Sequence, residues 1–175
     1  MSRRPPQYDL PKAAPGQLRI VQVLVNTTDG ERRELLSEWL EEQGVAARPA
    51  ALARAREVRE ALRELLVANN ERRPGPPAAT ELLEHAAEKS RLTVRFHLRA
   101  ELAPLADGVD GALGRVLAAA LGAMWDGSWS RLKACRNCHW AFYDESRNRS
   151  AAWCSMQLCG NRLKTRAYRR RKQLA

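Results

Sequence analysis

The only residues in this chain whose type and spacing suggest definite chemistry are its cysteines. All four fall within 25 residues, as Cys135-x2-Cys138-x15-Cys154-x4-Cys159. Two close thiol pairs separated by a span long enough to fold back match a tetrahedral thiolate zinc site. Four thiolates fill the tetrahedron and leave no open position for water, so the expected ion is structural, one per chain. A zinc deaminase places a His-x-Glu ahead of its cysteine pair, and none is present. A redox reading of Cys135-x2-Cys138 lacks the βαβ context that such motifs need. A disulfide reading leaves the paired spacing a coincidence and sits badly with the reduced cytoplasmic setting expected for this chain. His139 directly follows Cys138 and is the one spare candidate ligand, though such a histidine more often lies on the surface or braces a ligand.

The flanking residues suggest how the thiols are positioned. "HWAFY" alternates, "DESRN" is rich in turn formers and "SAAW" returns, which reads as a hairpin between the pairs. The second pair opens a helix, "CSMQLCGNRLKTRAYRRRK". Knuckle, hairpin and helix make a treble-clef-like four-cysteine zinc finger over 131–175. So small a segment buries too little apolar surface to fold alone, and a structural metal supplies about 10 kcal/mol or more. Trp140, Phe142 and Trp153 are the expected mini-core, separate from that of the preceding domain.

Charge is distributed unevenly. The net charge is +10, yet residues 1–130 balance 18 Lys+Arg against 18 Asp+Glu, while 131–175 carry 12 Lys+Arg against Asp144 and Glu145 alone. A neutral body with a cationic end points to a polyanionic partner, nucleic acid first and double-stranded DNA as the partner expected, with DNA against RNA left open by charge alone. At helical spacing Arg162, Arg166, Arg169 and Arg170 share a face, Lys164 and Arg171 lie on an adjacent stripe, and Arg147 and Arg149 flank Asn148 in the loop. Helix C-termini favour cations through the macrodipole alone. Seven Lys/Arg in residues 162–172 without an acid, however, repel one another unless something neutralises them.

The rest reads as a mainly α-helical domain over 17–126 behind a Pro-rich leader, 1–16. "LRIVQVLVNTTDG" is ambiguous between strand and buried helix. Helices are expected over 31–44 and 47–71, the latter with a stripe of Leu52, Ala55, Val58, Leu62, Leu65 and Leu66. Thr80 is a candidate cap for a helix over 81–89. Residues 91–98 alternate as one strand of a small β-hairpin, and 109–125 form a nearly all-apolar central helix. No apolar run is long enough to span a membrane. His85 and His97 are isolated, and Asn26, Thr27 and Asp29 read as a turn or cap.

"WAFYDESRNRSAAWCSMQLCGNRLKTRAYRRRK" resembles the CGNR zinc finger, whose tetrapeptide stands here as Cys159-Gly160-Asn161-Arg162. "LVNTTDGERRELLSEWLEEQG" and the Ala/Leu/Arg helix after it resemble the ABATE domain that accompanies this finger in bacteria. The resemblance implies a bacterial transcription regulator, sometimes described as stress-induced, with a DNA-binding finger behind a helical domain of sensing role. Independently of it, the helical domain is expected to bind a small-molecule effector or to form a homodimer with paired half-sites. By residue type, Gly160 allows a close backbone turn, Asn161 can hydrogen-bond a thiolate or carbonyl, and Arg162 can reach a phosphate. A sensing domain is expected to hold an enclosed apolar cavity near Leu62, Val94 or Val116–Leu121. The rival readings are an RNA- or ribosome-associated accessory protein and an enzyme with its site in the helical domain.

Overall fold

The computed structural model describes residues 12–28, 34–96, 98 and 100–160. Five helices precede the cysteines: α1 (Leu18–Val25), α2 (Leu36–Glu42), α3 (Pro49–Glu71), α4 (Pro77–Ser90) and α5 (Gly108–Trp125). Between α4 and α5 lies the antiparallel pair β1 (Leu92–Phe96) and β2 (Ala100–Pro104). After α5, a 3-10 turn at Trp129–Arg131 leads into a second antiparallel pair, β3 (Leu132–Ala134) and β4 (Ala141–Tyr143). The protein is thus mainly helical with two small sheets. No helix among the described residues is long and apolar enough to cross a membrane.

Local chemistry explains most of these elements. Pro49 and Pro77 stand in the first turns of α3 and α4, where a missing N–H costs nothing. Thr80 does not cap α4, which starts at Pro77; its hydroxyl donates back to the Pro76 carbonyl at 3.2 Å. The ambiguous run at 18–25 is helical despite its β-branched residues. Val21, Leu24 and Val25 are fully buried, and packing on α3 and α5 overrides propensity. On α5, Gly114 lets the helix lie close against its neighbours: a Cβ there would come within 2.6 Å of Pro104 Cβ and 2.8 Å of Ser90 Cβ.

The main core gathers Leu24, Leu36, Leu40, Leu62, Leu66 and Leu113 with Leu132, Ala134 and Ala141. The last three belong to the second hairpin. Alternation along its strands splits its faces: Leu132, Ala134, Ala141 and Tyr143 pack into the helical core, while Phe142 joins Cys135 and Cys159 in a second buried cluster. Trp140, Phe142 and Trp153 thus form the expected mini-core beside the thiols, but the two cores are not independent, because the hairpin is a wall of both. The hairpin expected to pair "HWAFY" (139–143) with "SAAW" (150–153) is corrected as well. Its first strand lies before Cys135, and residues 151–153 form no strand.

The positions expected to line an enclosed cavity differ in burial. Leu62, Val116 and Leu117 are packed in the core, and Val94 is half exposed. Near this helix lies an open cleft of about 530 Å³ between the start of α1, β2 and α5, with Arg95, Glu101 and Arg115 in its lining.

Candidate metal centre

The turn joining β3 to β4 carries the first thiol pair. Cys135 N–H donates to the Trp140 carbonyl at 2.9 Å and His139 N–H to the Cys135 carbonyl at 2.9 Å, closing a knuckle in which His139 takes a left-handed conformation (φ 57°). Backbone N–H groups of Asn137 and Cys138 hydrogen-bond the Cys135 sulfur, and that of Trp140 bonds the Cys138 sulfur. Of the second pair, Cys154 precedes the turn Met156–Gly160 and Cys159 lies in it; there the N–H groups of Cys159 and Gly160 both donate to the Ser155 carbonyl, at 3.0 and 3.1 Å. Asn137 Nδ2 stands 3.5 Å from Cys159 Sγ, the thiolate-bonding role anticipated for Asn161. Asn161 itself lies outside the described residues.

The four sulfurs converge. Cys138 Sγ is 3.6 Å from Cys154 Sγ and 3.6 Å from Cys159 Sγ; Cys154 and Cys159 are 3.7 Å apart, and all four lie within 4.8 Å of one another. Four sulfurs about 2.3 Å from one tetrahedral ion stand about 3.8 Å apart. All four cysteines are free thiols, so the donor set fits one structural zinc. Crowded thiols resist ionising together. Hydrogen bonds from Cys138 and Cys154 hold Cys135 far below the usual thiol range. The bond to Cys135 pushes Cys138 up to about 12, and bonds to Cys135 and Cys138 raise Cys154 too. A divalent cation stabilises every thiolate at once, which the sulfurs cannot do for each other. When bound, the zinc supplies a fixed cross-link between knuckle and terminal turn, with no open position for catalysis.

His139 is exposed and stands apart from the sulfur cluster. His85 is exposed and pairs with Glu88 at 3.5 Å; His97 and Asp29 lie outside the described residues. Gly160 is crowded by the Met156 sulfur, which a Cβ would approach to 2.8 Å.

Polar residues of the helical body, among them Asn26, Asn70 and Arg63, hold this centre by its backbone. Asn26, fully buried, donates from Nδ2 to the Ala141 carbonyl at 2.9 Å and accepts from the Ala141 N–H at 2.8 Å, as a neighbouring strand would. Asn70 Nδ2 donates to the carbonyls of Ala134 (2.6 Å) and Ala152 (3.0 Å). Arg63 donates to the His139 carbonyl at 3.1 Å and to the Val25 carbonyl at 2.6 Å. Sequence reasoning assigned Asn26 to a local turn and gave Asn70 and Arg63 no part. Asn26→Ala leaves the buried Ala141 N–H without that partner, and a loss of about 2–3 kcal/mol is expected by urea unfolding. A loss under about 0.5 kcal/mol would show that the bonds do not hold the hairpin.

The loop after β4 is organised by a buried ion pair. Lys133 Nζ donates to Asp144 Oδ2 and to the Arg149 carbonyl, both at 2.7 Å, with both side chains almost wholly out of solvent. Asp144 also accepts from Ser146 N–H (3.0 Å), Ser146 Oγ (2.6 Å) and Ala151 N–H (2.9 Å). Burial pushes the Asp144 carboxyl up, but the hydrogen bonds from Lys133 and Ser146 outweigh it and leave it below the usual carboxylate range. Arg131 donates to the carbonyls of Asp144 (2.9 Å) and Ser146 (3.0 Å). The outcome is a fixed loop with Arg147, Asn148 and Arg149 exposed. Arg162, Lys164, Arg166, Arg169, Arg170 and Arg171 lie outside the described residues.

Residues 131–172 match the CGNR zinc finger. Residues 18–128 match ABATE, described as "Putative stress-induced transcription regulator". Neither is an enzyme family. A search of curated proteins gives no match. With the ABATE match covering well over half of its length and the four-sulfur centre inside the finger match, the chain belongs to the ABATE family and carries a CGNR zinc finger after its helical domain.

Proposed function

We propose that this protein is a cytoplasmic transcription regulator that binds duplex DNA through the basic surface around its zinc centre. The observation that carries the reading is the loop locked by Lys133 and Asp144, on which Arg147 and Arg149 are exposed. The unopposed Lys/Arg run of 162–172 follows directly. Rigid guanidinium forks suit phosphates and guanine edges, and a preorganised loop loses less entropy on binding than a free tail. The chain's own residues then divide the work. The cysteines fix the knuckle, the ion pair fixes the loop, and the arginines meet the polyanion.

Roughly four simultaneous phosphate contacts give a slope of log affinity against log salt near −3 to −4 on B-DNA. Arg169→Ala or Arg170→Ala is expected to flatten that slope by about one unit and weaken binding to all sequences alike. Fluorescence anisotropy with a duplex and with an RNA hairpin of equal length tests this. Preference for the hairpin turns the assignment toward an RNA-associated protein. Binding no tighter than that of an isolated 161–175 peptide removes the role of the fixed loop.

A further inference from the structure

The helical domain meets the finger at a second cationic feature, which neither family match assigns. A cleft of about 440 Å³ opens between the C-terminal end of α3 and the 146–150 loop, and its lining includes Arg72, Arg73, Ser130, Lys133, Asn148 and Arg149. Two of its four cations are already matched: Lys133 by Asp144, and Arg73 by Glu71 at 2.5 Å. The other two are not matched by a carboxylate among the described residues. Among the described residues Arg72 Nη2 reaches the Arg149 carbonyl, at 3.4 Å, and Arg149 Nη1 reaches the Ser130 hydroxyl at 3.0 Å. Two guanidiniums thus share one opening with neutral partners.

Cations at a helix C-terminus usually serve the macrodipole and the last carbonyls. Here those carbonyls are otherwise engaged: Ala68 O accepts from Arg73 N–H (3.1 Å) and Asn69 O from Arg72 N–H (3.3 Å). The Arg72 side chain turns away from its own helix and across to the finger's loop. We propose that this cleft binds a phosphodiester of the DNA backbone, with Arg72 of the helical domain and Arg149 of the finger as paired donors and Asn148 and Ser130 as neutral ones. The proposal rests on the DNA-binding reading and extends it, because the helical domain becomes part of the footprint. Each phosphate held this way adds about 0.9 to the salt slope.

The backbone provides clean variants. Arg72 (φ 57°) and Arg149 (φ 50°) are both left-handed, the conformation that favours glycine. Arg91 ends α4 in the same way (φ 51°) without lining this cleft, so the conformation alone marks no site, but it makes glycine a tolerated replacement. Arg72→Gly removes the guanidinium while relieving the backbone, and its melting temperature is expected at or above that of the wild type. Arg56→Ala is the control. It makes the same charge change on the exposed side of α3, 16 residues away, about 24 Å along the helix.

The full-length zinc protein is titrated with a random duplex of about 30 base pairs across a salt series. For Arg72→Gly the slope is expected to flatten by about 0.9 and affinity at about 0.1 M salt to fall about eightfold, with Arg56→Ala close to the wild type. If the wild type binds and Arg170→Ala weakens it while Arg72→Gly matches Arg56→Ala, the cleft is not a phosphate site and the DNA-binding reading stands. If the wild type does not bind duplex at all, both fall.

Discussion

Stripping the zinc with a chelator is expected to unfold the whole chain in one transition, not its C-terminal quarter alone. The β3–β4 hairpin that carries Cys135 and Cys138 is also a wall of the helical core, through Leu132, Ala134 and Ala141. Asn26, Asn69, Asn70 and Arg63 spend buried or half-buried side chains on its backbone and on the turns beside it. Once the knuckle opens, those groups lose their partners and the core loses a face. A structural zinc site contributes about 10 kcal/mol or more, and for a chain of this size each kcal/mol moves the midpoint by about 2–4 °C. The melting temperature should fall by at least about 20 °C, with loss of helical circular dichroism and of tryptophan burial coinciding. Cys159→Ser is expected to behave alike. A helical signal that survives chelation and melts separately would show that the helical body stands without the finger.

Breaking the Lys133–Asp144 pair from one side is the second large effect. Asp144→Asn leaves the Lys133 ammonium buried without its counter-charge, and Lys133→Met strands the carboxylate; each is expected to cost about 3–5 kcal/mol at about pH 7. The pH dependence follows from the direction of the shift. The folded carboxyl lies below its unfolded value of about 3.9, so its contribution is fully present above that value. It is lost as pH falls through the folded value. The difference in unfolding free energy between wild type and Asp144→Asn should therefore stay constant from about pH 8 to about pH 5. A difference that already shrinks between about pH 7 and about pH 5 would mean that burial wins over the hydrogen bonds. Duplex affinity should fall with either substitution, since Arg147 and Arg149 lose their fixed loop.

The parts of this structure that were legible in the sequence are those with short-range signatures. Thiol spacing identified the metal centre because ligand pairs must lie close in the chain to bite one ion. The stripe of Ala55, Val58, Leu62 and Leu66 and the alternation from Leu92 to Phe96 produced a helix and a strand as periodicity requires. Four features were hidden for physical reasons. The strand "LKA" is only three residues long, too short for a period to register, so the hairpin was assigned to "SAAW" downstream. The helix 18–25 looks like a strand because Ile20, Val21, Val23 and Val25 are β-branched, and only its burial decides. Asn26 and Asn70 act on backbone 115 and 64 residues away, and an asparagine's long-range hydrogen bonds leave no local trace. Lys133 and Asp144 appeared as one cation and one acid in a basic segment, though they cancel each other inside the protein.

X-ray absorption at the zinc edge of the purified full-length protein, with metal content from the same sample, probes the centre on which all of this depends. The account predicts one zinc per chain with four sulfur neighbours at about 2.3 Å, supplied by Cys135, Cys138, Cys154 and Cys159. A nitrogen or oxygen ligand in place of one sulfur, or a folded protein without zinc, would contradict it.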